Sequence, residues 1–102
     1  MQITLSPQYE TTPLVASRAG DTITLNGAVI DFSAVAEGET VPASDFATEW
    51  LQSDVTRTAG VLHFALRLPI GTGAPVESRF PAPITVTEDG PIQLPPFSAV
   101  PL

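Results

Sequence analysis

Chemistry in a protein needs nucleophiles, titratable groups or metal ligands placed within reach of one another, and this chain is short of all three. It has one histidine, His63, and no cysteine. A histidine can act as a general base or hold a metal. His63, however, stands between Leu62 and Phe64 in an alternating run, the position of a strand residue on the less apolar face of a sheet. Serine–histidine–aspartate relays are assembled in space, so counting residues does not exclude one. The local signatures are missing: there is no Gly-x-Ser-x-Gly elbow, and Gly71-Thr72-Gly73 lacks the following helix that a phosphate-binding loop needs. Paired carboxylates are the other raw material, as in glycoside hydrolysis. The close pairs are Glu37/Glu39 and Glu88/Asp89, both in turn-like stretches where solvated acids are usual. Glu37-Gly38-Glu39 does not match a calcium-binding loop. The sequence therefore predicts a non-enzyme with no catalytic residue, no cofactor and no metal site.

Contact chemistry is better represented. Trp50, the one tryptophan, is either a core aromatic or an interface anchor. The C-terminal Pro95-Pro96-Phe97-Ser98-Ala99-Val100-Pro101-Leu102 is too rich in proline for regular structure and is expected to be extended. An apolar segment of this kind needs something to cover, either a neighbouring molecule or its own domain as a strap. Trp50, Pro95, Pro96, Phe97, Val100 and Leu102 are accordingly the candidate partner contacts.

The elements that must position these residues read as strands. Gln2-Ile3-Thr4-Leu5-Ser6 alternates polar and apolar before Pro7. The clearest local signal is residues 22–32, where Asn26-Gly27 is the preferred pair for a two-residue type I′ turn. That turn sets Leu25 opposite Ala28 and Ile23 opposite Ile30, and it places all four on one face with Phe32. Leu14 to Arg18, leading into Ala19-Gly20-Asp21, adds a third strand and predicts a meander over residues 14–32. Residues 33–47 are the least regular; Ser44-Asp45 could start one short helical turn, although no Glu or Gln completes a capping box. A second hairpin is expected near 48–68, around Thr58-Ala59-Gly60. In its longer arm Leu62, Phe64, Leu66 and Leu68 make a wholly apolar face, which a helix would scatter around its circumference. Pro69 is expected to stop that strand and 71–75 to be a loop. Val76 to Phe80 reads as a short strand, and 83–94 as a third hairpin that its prolines should keep at a sheet edge. There is no internal repeat.

The totals agree. A chain of 102 residues with 43% apolar and 15% charged residues supports one core without a staple. Its eleven prolines and seven glycines suit short strands joined by turns. We expect an all-β fold, a small antiparallel sandwich or partly open barrel built from hairpins, with at most one short helical turn. Residues 1–94 are expected to form a single β domain and 95–102 an extended segment. The formal charge is −7, and the four basic residues are all arginines, Arg18, Arg57, Arg67 and Arg79. Nothing in that set neutralises a run of phosphates, which disfavours nucleic acid and anionic membranes as partners. The start, Met1 to Pro7, lacks the basic and apolar regions of a secretion signal, and no apolar run is long enough to span a bilayer. Synthesis in the cytoplasm is expected, with export possible as part of a particle.

Several stretches also carry a resemblance: Met1 to Pro7, Ala19 to Gly27, Ile30-Asp31-Phe32-Ser33, Glu49-Trp50, Leu62 to Pro69 and Phe80 to Pro91. Together they resemble small proteins encoded in the tail gene regions of tailed bacteriophages and prophages, over nearly the whole chain. Members of that family usually read Pro-His-Gly after the long strand where this chain has Pro69-Ile70-Gly71, so no functional histidine carries over. The resemblance implies a virion tail component at the tail tip, baseplate or fibre attachment. It would be made in the host cytoplasm and would bind other tail proteins, with a symmetric oligomer among the forms the resemblance allows. A tail or fibre assembly chaperone and a small acidic host-directed inhibitor are the rival expectations.

Overall fold

The structure is a computed structural model and describes residues 1–98. It is an all-β sandwich. The strands are β1 (Gln2–Tyr9), β2 (Ala16–Ala19), β3 (Thr22–Leu25), β4 (Ala28–Asp31), β5 (Thr40–Val41), β6 (Val55–Thr58), β7 (Val61–Ile70), β8 (Ile84–Thr85) and β9 (Gly90–Pro91). One sheet has five strands in the order β5-β6-β7-β1-β8, the other four in the order β4-β3-β2-β9.

Local chemistry builds both hairpins as expected. Asn26 and Gly27 take left-handed φ values of 49° and 85°, and the ladder pairs Leu25 with Ala28 and Ile23 with Ile30. The Asn26 amide also closes the meander: Val15 N–H donates to its Oδ1 at 2.7 Å, and its Nδ2 donates to Pro13 O. The second hairpin turns at Ala59-Gly60, again with positive φ at both positions. Alanine is strained there by roughly 1 kcal/mol or more. The Glu37 carboxylate compensates, accepting the Ala59 and Gly60 N–H groups at 2.7 Å each.

Between the sheets lies one core. Leu62, Phe64, Leu66 and Leu68 of β7 and Ile3 and Leu5 of β1 face Ile23, Leu25, Ile30 and Phe32, and all of these are buried. Phe32 bridges the layers, its ring 4.8 Å from Phe64 and 5.1 Å, edge-on, from Phe46. Each such side chain contributes about 1.5–3 kcal/mol by leaving water. At one end of the sandwich the sheets are joined by Arg57. Its Nε donates to Val35 O at 2.6 Å, and its Nη2 to Phe32 O and to the Asp21 carboxylate, the last at 3.0 Å.

Four local expectations are corrected. β7 does not stop at Pro69 but continues to Ile70. Ala65 and Arg67 bond to residues 50–53 on one flank of β7. By the period of two, Pro69 faces that same flank, beyond the last of these partners, so its missing N–H costs no ladder bond. Residues 76–79 form a helical turn, α1 (Val76–Arg79), not a strand. Pro75 precedes it with φ −69°, and Ser78 and Arg79 N–H donate to Pro75 O. With the 3-10 turn Ala43–Phe46, the fold has two short helical turns where at most one was expected. Finally, 83–94 is no hairpin. β8 pairs with β1 in the five-stranded sheet and β9 with β2 in the other, so the chain crosses between layers at 86–89. Both are edge strands, the position to which Pro91 confines β9. The longest ladder, β1 on β7, is parallel, a pairing that hairpin-by-hairpin reasoning does not contain.

Candidate functional site

Each predicted contact residue can be located. Trp50 is buried in the core. Arg67 lies over its ring at 4.5 Å, and Arg67 N–H donates to Trp50 O. The Arg67 guanidinium also pairs with Glu10 at 2.9 Å and Glu49 at 3.1 Å. Glu10 Oε2 and Arg67 Nε are buried without an aligned hydrogen bond, and the ionic contact between them is what compensates each. Trp50 is thus enclosed by its own chain, and little of it is left to present to a partner.

The proline-rich segment docks on its own domain as far as it is described. Gly71 N–H donates to Phe97 O at 2.8 Å, and the buried Ser78 Oγ donates to Pro96 O at 2.5 Å. Pro95 and Phe97 are half-buried and Pro96 is exposed. A side chain at Gly71 would meet the Phe97 ring at 3.1 Å, so glycine allows the strap to lie flat. Val100 and Leu102 fall outside the described residues.

His63 sits on the outward face of the five-stranded sheet. The register places it in one row that crosses all five strands, Thr40-Thr56-His63-Gln2-Thr85. Within that row Thr40 bonds Thr56 at 3.1 Å and Thr85 donates to Gln2 at 2.6 Å. Ser53 and Asp54 border the same shallow surface, but Ser53 Oγ is engaged with Ala65 N–H and Asp54 O. Among the described residues no hydrogen bond joins His63 to a serine or carboxylate. No group of three or more histidines and carboxylates is placed to hold a metal among them.

Two groups titrate away from their ordinary values. Ser33 N–H donates to the Asp31 carboxylate at 2.9 Å, and that backbone bond, then the Ser33 side chain, lowers its pKa. Burial, then the charge of Arg18, lowers the Met1 amine, with Asp21 opposing; the amine donates to Val86 O at 2.7 Å. Both shifts are structural in origin.

The side chains that stand out are apolar, and sequence patterning missed most of them. Phe80 is 77% exposed, Val15 71%, Val29 68%, Tyr9 66% and Val76 62%. Val76 and Phe80 lie where a short strand was expected and a helical turn is found. The signal for a turn was Pro75, which favours the first turn of a helix. With this geometry in hand, comparison with known proteins returns no matching family model, curated protein or solved structure.

Proposed function

We propose that the chain is a structural, adhesive component of a bacteriophage tail, at the tail tip, baseplate or fibre attachment, acting by protein–protein contact. The stretches that resemble proteins of tail gene regions support this placement. The observation that carries the adhesive part is the set of large apolar side chains left in water. Tyr9, Val15, Val29, Val76 and Phe80 are each at least 62% exposed in a small domain whose other large apolar residues are mostly buried. Contact with a partner recovers part of the roughly 1.5–3 kcal/mol that burying such a side chain is worth. Arg57 and Arg67, by contrast, are engaged in holding the fold. In this reading the partners are other tail proteins and the place of action is the virion.

Mass spectrometry of purified particles tests it, with stoichiometric presence expected. Absence from particles together with co-purification with a tail or fibre protein before assembly would make the chain a chaperone. A stable complex with a host protein and normal assembly after gene deletion would make it a host-directed inhibitor.

A further inference from the structure

The hairpin tip at Asn26-Gly27 is where the backbone of this chain can act as a nucleophile on its own side chain. An asparagine followed by glycine is prone to attack of the glycine nitrogen on the asparagine Cγ, because glycine has no Cβ to hinder the approach. Asn26 is the one asparagine in the chain, and it and Gly27 are both exposed. A Cβ at Gly27 would meet nothing within 4 Å beyond its chain neighbours. The space that a cyclic imide and an incoming water need is therefore open.

The fold adds a lock on the electrophile. The Asn26 side chain behaves as a ladder residue set against the segment that precedes β2. Its Oδ1 accepts Val15 N–H at 2.7 Å, its Nδ2 donates to Pro13 O at 3.3 Å, and its main-chain N–H donates to Val15 O at 2.9 Å. Both ends of the amide are thus held by backbone groups on either side of Leu14, itself buried in the core. Turning the amide carbon onto Gly27 N breaks both side-chain bonds. The left-handed φ values of Asn26 and Gly27, 49° and 85°, belong to the same tight turn and restrict the backbone as well.

We propose that Asn26 is a self-modification site whose reaction is gated by the opening of these bonds. Gly27 N gives up its proton and bonds to Asn26 Cγ, the Cγ–Nδ2 bond breaks, and ammonia leaves. Water then opens the imide, at Cγ to give aspartate or at the main-chain carbonyl carbon to give isoaspartate. One water is consumed and one ammonia released, and nothing is oxidised or reduced. The product lacks the lock. Aspartate has no donor for Pro13 O. Isoaspartate carries an extra main-chain carbon in a two-residue turn whose length sets the register of β3 on β4. Modification therefore frees residues 13–15, and Leu14 with them, from the hairpin tip. This chemistry needs no partner and is independent of the tail reading.

The full chain is incubated at mildly alkaline pH, folded and in urea, and the exchange of amide for acid is followed by mass spectrometry of its tryptic peptides. Conversion should localise to Asn26 on fragmentation and run at least about tenfold slower in the folded chain than in the unfolded one. The factor of slowing should match, within severalfold, the hydrogen-exchange protection of Val15 N–H measured by NMR, because one opening releases both. Val15→Pro, which removes that N–H, should raise the folded rate severalfold and leave the rate in urea unchanged. If Val15→Pro disturbs the fold, the match between wild-type rate and Val15 protection decides alone. Gly27→Ala, measured in urea where the turn is absent, should slow conversion at least about tenfold. Equal rates in folded and unfolded chains would overturn the proposal. So would a folded chain slowed far beyond the protection of Val15, or no effect of Gly27→Ala in urea.

Discussion

Replacing Arg57 by alanine separates what joins the two sheets from what merely decorates them. The Arg57 side chain is 16% exposed, while its ionic partner Asp21 is 41% exposed. Its shortest bond is to Val35 O at 2.6 Å, and Phe32 O, its third acceptor, also receives Val35 N–H. Loss of Arg57 therefore leaves one carbonyl, Val35 O, with no donor among the described residues, while Phe32 O keeps the Val35 N–H. Hydrogen bonds to a charged group contribute about 1.5–3 kcal/mol, whereas an ion pair as exposed as Asp21 adds no more than about 0.5–1 kcal/mol. The sum is a loss of about 2–4 kcal/mol, a fall in melting temperature of about 10–25 °C for a domain of this size. Urea unfolding of Arg57→Ala, Asp21→Asn and the double variant measures it. Asp21→Asn should cost under about 1 kcal/mol. Arg57→Lys should recover only a minor part, since an ammonium lacks the planar fork that reaches two carbonyls and a carboxylate together. The reasoning fails if Asp21→Asn is as damaging as Arg57→Ala, because the exposed ion pair and not the carbonyl bonds would then join the layers. It fails equally if Arg57→Ala costs less than about 1 kcal/mol.

Three further outcomes follow from the same geometry. Ala59→Asn, which suits the φ of +51° at that turn position, should stabilise the domain by about 0.5–1 kcal/mol in the same assay; no gain would mean that Glu37 already removes the strain. Gly71→Ala should push the Phe97 ring from its 3.1 Å approach and loosen the strap, read as a severalfold faster chymotryptic cut after Phe97 with little change in global unfolding. An unchanged rate would mean that the strap is not seated on Gly71. For Asp31, the pKa lowered below its ordinary 3.8 means that the folded state favours the ionised carboxylate. Its contribution is therefore present above about pH 4 and is lost as pH falls through the folded value. Asp31→Asn should flatten the decline of the urea midpoint below about pH 4 and leave the profile from pH 5 to 8 parallel to wild type; identical acid slopes in the two proteins would contradict this.

Much of the sandwich was legible in the chain because its hairpins are local events. Asn26-Gly27 and Ala59-Gly60 reverse the chain by their own backbone preferences, and period-two alternation then decides which side chains are buried. Leu62, Phe64, Leu66 and Leu68 face the core for that reason alone. Alternation states which face a residue takes, but it is silent about which strand lies alongside. The pairing of β1 with β7 joins distant parts of the chain in parallel and sets Ile3 and Leu5 beside Phe64 and Leu66 in one core. The same silence explains residues 83–94, where two short strands and a turn-like Glu88-Asp89-Gly90 read as a hairpin. Their outcome depended on free edges in different sheets, beside β1 and β2.

The contact surface divides in the same way. Composition alone revealed an acidic chain with four arginines and scattered aromatics. Only the tertiary structure decided that Trp50 would be enclosed beneath Arg67 and that Pro95 to Phe97 would strap their own domain. It likewise decided that Phe80 and Arg79 would be left in water, since exposure follows from what the rest of the fold packs against a residue and not from its type.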